Sequence, residues 1–295
     1  MTIVLTLIAA ADSRQSLPHL AGAVGAAVGI FDEPNWLADE ACDLFFDATS
    51  PLRAEAAARA VLGEAQVDVL VQPVANRRKR LLVADMEATI IENEMLDELA
   101  DFIRRRQEVS EITRRAMNGE IDFVGALEAR VRLLAGLPDH VLGEAAHRIR
   151  LRSGARELVT TMRNAGAVTA LVSSGFMFFA EGLAADLGFD RVDANLLDLV
   201  SGRIAGTVSL PIVTGETKKQ TLITVAAEAS VPLHQSMAVG DGANDLPMLK
   251  AAGIGVAFHA KPAVASRSRW RLDHADLTGL LYAQGYRRNE IFGSG

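Results

Sequence analysis

One cysteine in 295 residues, Cys42, leaves no partner for an intramolecular disulfide and suits a reducing compartment. A zinc cluster is excluded with it, since the six histidines never fall at a metal-ligand spacing such as His-x3-His. Aromatic residues are scarce at 5%, and positive charge is outweighed, giving a formal net charge of −7. A broad nucleic-acid surface therefore has no positive field behind it. The longest basic run, Arg77-Arg78-Lys79-Arg80, lacks interleaved aromatics and reads as a solvated linker. Long apolar runs are missing as well: no stretch reaches the roughly 18 residues of a membrane span, and Ile3 to Ala11 has no basic lead of the signal-peptide kind. A Walker A loop and a Gly-x-Ser-x-Gly elbow are also lacking. The expectation is a cytoplasmic protein that engages neither nucleic acid nor membrane.

Apolar residues at 49% and charged residues at 23% are ordinary for a globular protein, and the length suits one large domain or two to three ordinary ones. Residues 1–75 read as strand, helix, strand or hairpin, helix and strand, a small α+β unit. Pro73 to Arg80 reads as a linker. A short apolar strand, Leu81 to Ala84, is followed by helical periodicity through about residues 92–152, which looks like a lid inserted into the 76–295 domain. From Ala155 onward helices alternate with the strands Val168 to Val172, Met237 to Val239 and Gly253 to Ala257, with a Gly-bearing hairpin near Ser201-Gly202. Such alternation implies a doubly wound parallel sheet, with ligands beyond the carboxyl ends of its strands.

Three motifs stand at those predicted ends. Asp85 closes the first strand with Glu87 two residues on; there a carboxylate can attack an electrophile or hold a metal, and a second acid can move protons beside it. Ser173-Ser174-Gly175 offers a hydroxyl and backbone N–H groups at an expected strand-to-helix turn, either a phosphate cradle or an ordinary N-cap. Gly240-Asp241-Gly242-Ala243-Asn244-Asp245 gathers carboxylates and an amide around glycines, a set suited to Mg²⁺ or to a structural turn. Lys218, near the start of a helix, can neutralise phosphate and carboxylate together, although a surface lysine is the plainer reading.

Taken in order, Asp85-x-Glu87-x-Thr89, Ser173, Lys218 and the Gly240 to Asp245 loop resemble the haloacid dehalogenase superfamily, and within it the phosphoserine phosphatases. The longer strings from Gly240 to Ala252 and from Ser174 to Glu181 strengthen the resemblance, which runs from about Leu81 to Gly279. It implies an aspartyl-phosphate formed on Asp85. It implies Mg²⁺ on Asp85, Asp241, the Glu87 carbonyl and Asp245, and phosphoryl contacts from Ser173, Ser174, Gly175, Lys218 and Asn244. The helical insert corresponds to the family's small cap, where Glu94 matches the residue meeting the substrate ammonium and Arg130 the one meeting its carboxylate. Met117 and Phe123 match residues lining that pocket. The expected substrate is thus a small phosphorylated amino acid, phosphoserine, hydrolysed in the last step of serine synthesis. The first domain resembles an ACT-like, ferredoxin-like module, which leaves open an amino-acid site, a homodimer interface or a plain structural part.

The family usually has Asp at position 87 and Ser at position 88. Glu87 is one methylene longer, a shift of about 1 Å on a fixed backbone that can cost on the order of 10²-fold in rate. The smaller Ala88 is expected to give Glu87 room. Two rival readings remain: a phosphatase or phosphotransferase for another small metabolite, and a regulatory amino-acid-binding protein with a decayed site, for which Glu87 is the sole support.

Overall fold

The computed structural model describes residues 2–30, 32–47, 50–117 and 120–293. The chain opens as β1 (Thr2–Ala9), α1 (Leu17–Val28), β2 (Asn35–Ala38), β3 (Ala41–Asp47), α2 (Pro51–Leu62) and β4 (Val67–Pro73). The four strands form an antiparallel sheet in the order β2-β3-β1-β4, the split βαβ arrangement. Strand periodicity sends Ile3, Leu5 and Leu7, with Cys42, Leu44, Val67, Val69 and Val71, onto Leu17, Val24, Ala58 and Leu62 of the two helices. The alternate row includes Ile8, Ala41 and Leu70, which join Leu272, Leu277 and Leu280 in the main core. Both faces of the sheet are therefore covered, and β1 reads as an almost unbroken apolar run for that reason.

A second sheet starts with β5 (Leu81–Asp85). The insert follows as α3 (Met95–Phe102), α4 (Arg106–Met117), α5 (Phe123–Leu133) and α6 (His140–Ala146). The chain continues through α7 (Ala155–Asn164), β6 (Val168–Phe176), α8 (Met177–Leu187), β7 (Arg191–Asn195) and the hairpin β8 (Leu197–Val200) and β9 (Arg203–Val208). It ends with α9 (Gly215–Glu228), β10 (Ser236–Gly240), α10 (Leu246–Ala251), β11 (Ile254–Phe258), α11 (Pro262–Ala265), β12 (Trp270–Leu272) and α12 (Gly279–Ala283). The six parallel strands run β12-β11-β10-β5-β6-β7. Connections proceed to one side from β5 and return on its other side at β10, so the crevice at their carboxyl ends is a topological switch point.

Two expectations need correction. The basic run is not simply solvated: Arg77 and Lys79 turn inward while Arg78 and Arg80 stay exposed. Arg77 is buried because Asp43 of the first sheet meets it, with Nη1 to Oδ2 at 2.7 Å and Nη2 to Oδ1 at 2.6 Å. The expected turn at Ser173 is also displaced, because β6 continues to Phe176 and α8 begins only at Met177. The pairing of β6 with β7 shifts register between Val172 and Phe176, so Ser173, Ser174 and Gly175 occupy an irregular strand extension.

Candidate active site

Asp85 closes β5 and Gly240 closes β10, so adjacent strands deliver Asp85 and the 240–245 loop to one rim. Glycine permits the loop's tight fold: a Cβ on Gly240 would lie 2.5 Å from Asp245 Cγ. Asp85, Asp241 and Asp245 each present a carboxylate oxygen within 4.8 Å of the others. An all-oxygen, hard donor set in this compass fits a divalent cation of the Mg²⁺, Ca²⁺ or Mn²⁺ kind.

Lys218 lies one turn into α9, whose N-cap Thr214 accepts from Thr217 N. It is fully buried, which rules out the surface-helix reading. Its Nζ donates to Asp85 Oδ1 at 2.6 Å and to Asp245 Oδ1 at 2.7 Å. Burial alone would lower the ammonium's affinity for its proton, but the facing carboxylates of Asp245 and Asp85 outweigh it and hold the group charged. Burial, and then the charge of Asp245, raise Asp85 well above the usual carboxylate range against the opposing pull of Lys218. Asp241 is pushed up to about 6 by burial and by Asp245. One lysine against three acids leaves excess negative charge, which a bound cation would neutralise.

Glu87 stands beside this cluster. Its Oε1 accepts from Met95 N at 2.8 Å, tying it to the first turn of α3 in the insert. Its other side is bounded by Gly175, where a Cβ would approach Oε2 to 2.7 Å. Burial raises its carboxyl, while the Met95 N–H and the positive charges of Lys218 and Arg130 pull it down. Ala88, with φ of 54°, takes the left-handed conformation, and the close approach to the Glu87 carboxylate is at Gly175.

Ser173 is wholly buried, and its Oγ accepts from Gly175 N at 2.9 Å rather than capping a helix. Ser174 Oγ donates to Val213 O at 3.0 Å and receives Asn244 Nδ2 at 3.3 Å, so the second and fourth motifs touch. Sequence reasoning missed Asn195, at the end of β7. Its Nδ2 donates to Ser174 O and its Oδ1 accepts from Val213 N, both at 2.7 Å. A lone Asn after a mostly polar edge strand gave no signal.

From the insert, Glu94 sits at the N-cap position of α3. Its side chain keeps an exposed face but lies in a crowded cleft; withdrawal from water, then Glu87 and Asp241, push it up to about 8. Arg130 on α5 is half-buried, donates from Nη1 to Thr113 Oγ1 at 3.4 Å, and bears electrostatically on Glu87. Phe123 opens α5, half-buried against the main core. The Met117 side chain lies outside the described residues. Lys261, also missed, heads α11 beyond β11, and its charge acts on Asp241 and Glu94.

Comparison with known proteins agrees with this arrangement. The family model for haloacid dehalogenase-like hydrolases matches residues 82–250. The chain is 40% identical over 243 residues to a phosphoserine phosphatase of Streptomyces coelicolor, covering 82% of this chain and 59% of that one. It is 44% identical to a phosphoserine phosphatase of Streptococcus thermophilus, over 68% of this chain and 93% of the relative. Among solved structures, a probable phosphoserine phosphatase from Vibrio cholerae superposes with a TM-score of 0.79 at 29% identity, covering 98% of this chain and 88% of that one. The chain spans about three fifths of the length of several curated relatives it matches, 59%, 57% and 63% in three of them. With motif order, sheet topology and family model in agreement, the chain belongs to the haloacid dehalogenase-like hydrolases.

Proposed function

We propose that this chain hydrolyses O-phospho-L-serine to L-serine and phosphate. The observation that carries the reading is Lys218 Nζ, buried and bonded to both Asp85 and Asp245 beside Asp241. This contact supports reading Asp85 as the nucleophile, Lys218 as its charge-neutralising cation and the three aspartates as a metal-type donor set. Lys218 and Met86 N both engage Asp85 Oδ1, leaving Oδ2 to attack phosphorus in line with the seryl oxygen. As the P–O bond to serine breaks, Glu87 passes its proton to the departing oxygen. The resulting Glu87 carboxylate then takes a proton from water, whose oxygen attacks the aspartyl-phosphate and returns Asp85 to its free form.

Ser173, the N–H groups about Ser174-Gly175, Lys218 and Asn244 are assigned to the phosphoryl oxygens. Glu94 is assigned to the ammonium and Arg130 to the carboxylate, with Met117 and Phe123 lining the pocket. Asp85, Asp241, the Glu87 carbonyl and Asp245 would hold Mg²⁺, which when bound supplies neutralisation of phosphoryl charge. Glycine-spaced hard oxygen donors and the relatives named phosphoserine phosphatase support these assignments. The N-terminal region is assigned to residues 1–75, the catalytic part to 76–295, and a homodimer through the former belongs to the same proposal.

The test is phosphate release from a panel of small phosphomonoesters, with and without Mg²⁺, beside Asp85→Asn. Preference for phosphoserine, dependence on Mg²⁺ and loss of turnover in the variant are expected. Equal rates across the panel would favour a broader phosphatase, and unchanged activity in Asp85→Asn would sink the aspartyl-phosphate route.

A further inference from the structure

Asp68 on β4 belongs to the N-terminal sheet, yet its carboxylate is spent on the far end of the chain. It is 2% exposed. Its Oδ1 accepts from Asp273 N at 2.7 Å, and Oδ2 accepts from His274 N at 3.1 Å and Ala275 N at 2.8 Å. Three backbone donors converging on one buried carboxylate form a tight anion nest and fix the 273–275 segment in place. Burial raises this carboxyl while the three N–H groups lower it, the balance of a charge kept only by its partners.

The segment so held, with its flanks, touches two elements beside the candidate site. On one side, Ala275 O meets His259 Nε2 at 2.8 Å, and His259 N donates to Leu272 O at 2.8 Å. His259 has φ of 44°, a left-handed conformation that needs such support, and it stands two residues before Lys261 at the rim. On the other side, Leu277 N donates to Ser153 O at 3.1 Å and Ser153 Oγ donates to Asp276 Oδ2 at 2.6 Å. Gly154 packs so closely that a Cβ there would lie 2.6 Å from Thr278 N. Ser153 and Gly154 end the return limb of the helical insert, whose Arg152 N donates to Ile90 O at 2.9 Å just beyond the Asp85 motif.

We propose that Asp68 is a positioning residue for the catalytic site: by holding residues 273–275, the N-terminal region sets both the His259–Lys261 rim segment and the return limb of the insert. The N-terminal region on this account is part of the catalytic scaffold. Its kinetic readout rests on the phosphoserine reading, whereas its exchange readout does not.

The test compares Asp68→Ala with Arg287→Ala in the full chain. Arg287 also joins the two parts, donating to Trp36 O at 2.9 Å and Asn35 Oδ1 at 2.6 Å, but it lies outside the 273–278 segment and bonds to none of its residues through these contacts. Amide hydrogen exchange and the separate kcat and KM for phosphoserine are measured well below the melting temperature. In Asp68→Ala, the His259 and Leu277 amides should exchange at least about tenfold faster, because their bonds to Leu272 O and Ser153 O lie on either side of the 273–275 segment that Asp68 holds. kcat/KM per folded molecule should fall about tenfold from the misplaced rim, and Arg287→Ala should leave both unchanged. Faster exchange confined to 273–275 with unaltered kcat/KM would overturn the proposal, as would equal effects of the two variants. If Asp68→Ala does not fold, Asp68→Asn, which keeps one acceptor oxygen, carries the same test with smaller shifts. No phosphate release by the wild type would count against the phosphoserine reading alone, and the exchange comparison would still decide this one.

Discussion

Glu87 shows how a glutamate carboxylate is seated where the residue across from it has no side chain. Its carboxylate is fixed between Met95 N and the bare Cα of Gly175, where a Cβ would come within 2.7 Å of Oε2. Gly175→Ala should therefore displace the acid and lower kcat by about 10²-fold, the cost of a misplacement near 1 Å. In a Glu87→Asp background the shorter side chain withdraws from that position, so the same glycine substitution should cost much less. A double-mutant cycle on kcat reads the difference, and additive effects would show that Gly175 acts independently of the acid. Glu94 offers a titration at the same scale. Its carboxyl, raised from 4.5 to about 8, binds its proton more tightly in the folded protein than in the unfolded chain. Stability from this group is thus full below pH 4.5 and falls as pH rises towards 8. On the proposed assignment of Glu94 to the substrate ammonium, activity has the opposite slope, since only the ionised form would attract that group. kcat/KM should climb towards pH 8 in the wild type, and this limb should vanish in Glu94→Gln; an identical profile in the variant would remove Glu94 from substrate binding.

At the scale of elements, most of the site was legible because strand ends announce themselves. An apolar run that stops on Asp85, or on Gly240-Asp241, places its polar residue at a rim before any contact is known. Lys218 was less legible, since helical spacing alone does not reveal that its position is fully buried. The Ser173 turn was misplaced because Ser-Ser-Gly has ordinary turn chemistry, whereas the irregular β6–β7 pairing extends the strand to Phe176. That extension is secured by Asn195, whose role depends on long-range partners and left no local pattern. It joins Ser174 O to Val213 N across the gap between β6 and the segment entering α9. Asn195→Leu should strand both groups, each buried polar group costing about 1–3 kcal/mol. Urea unfolding would show that loss, and inhibition by inorganic phosphate would weaken with it because Ser174 moves. Wild-type phosphate affinity in a destabilised Asn195→Leu would confine the residue to a structural part.

At the scale of the whole molecule, the basic segment between the sheets proves to be a fastener. Arg77 forms a bidentate pair with Asp43 and also donates to Thr6 Oγ1 at 2.8 Å and to Ala283 O at 2.8 Å, so little of its hydrogen-bonding capacity is unused. Around it, Ile8, Ala41 and Leu70 share one core with Leu277, Leu280 and Tyr282. Composition could not show this: a run of four basic residues looks solvated until Arg77 is seen to face a buried acid and Lys79 to donate to the Asn76 and His234 carbonyls. Because apolar area and a satisfied ion pair are both buried between the two sheets, neither part should melt alone. Scanning calorimetry of the wild type should give one transition whose calorimetric and van't Hoff enthalpies agree. Arg77→Met leaves Asp43 charged and buried without its cation, a loss of about 3–5 kcal/mol. Adding Asp43→Leu removes the stranded charge and should restore much of that stability. Two separate transitions in the wild type, or a near-neutral Arg77→Met, would show that the halves are merely tethered.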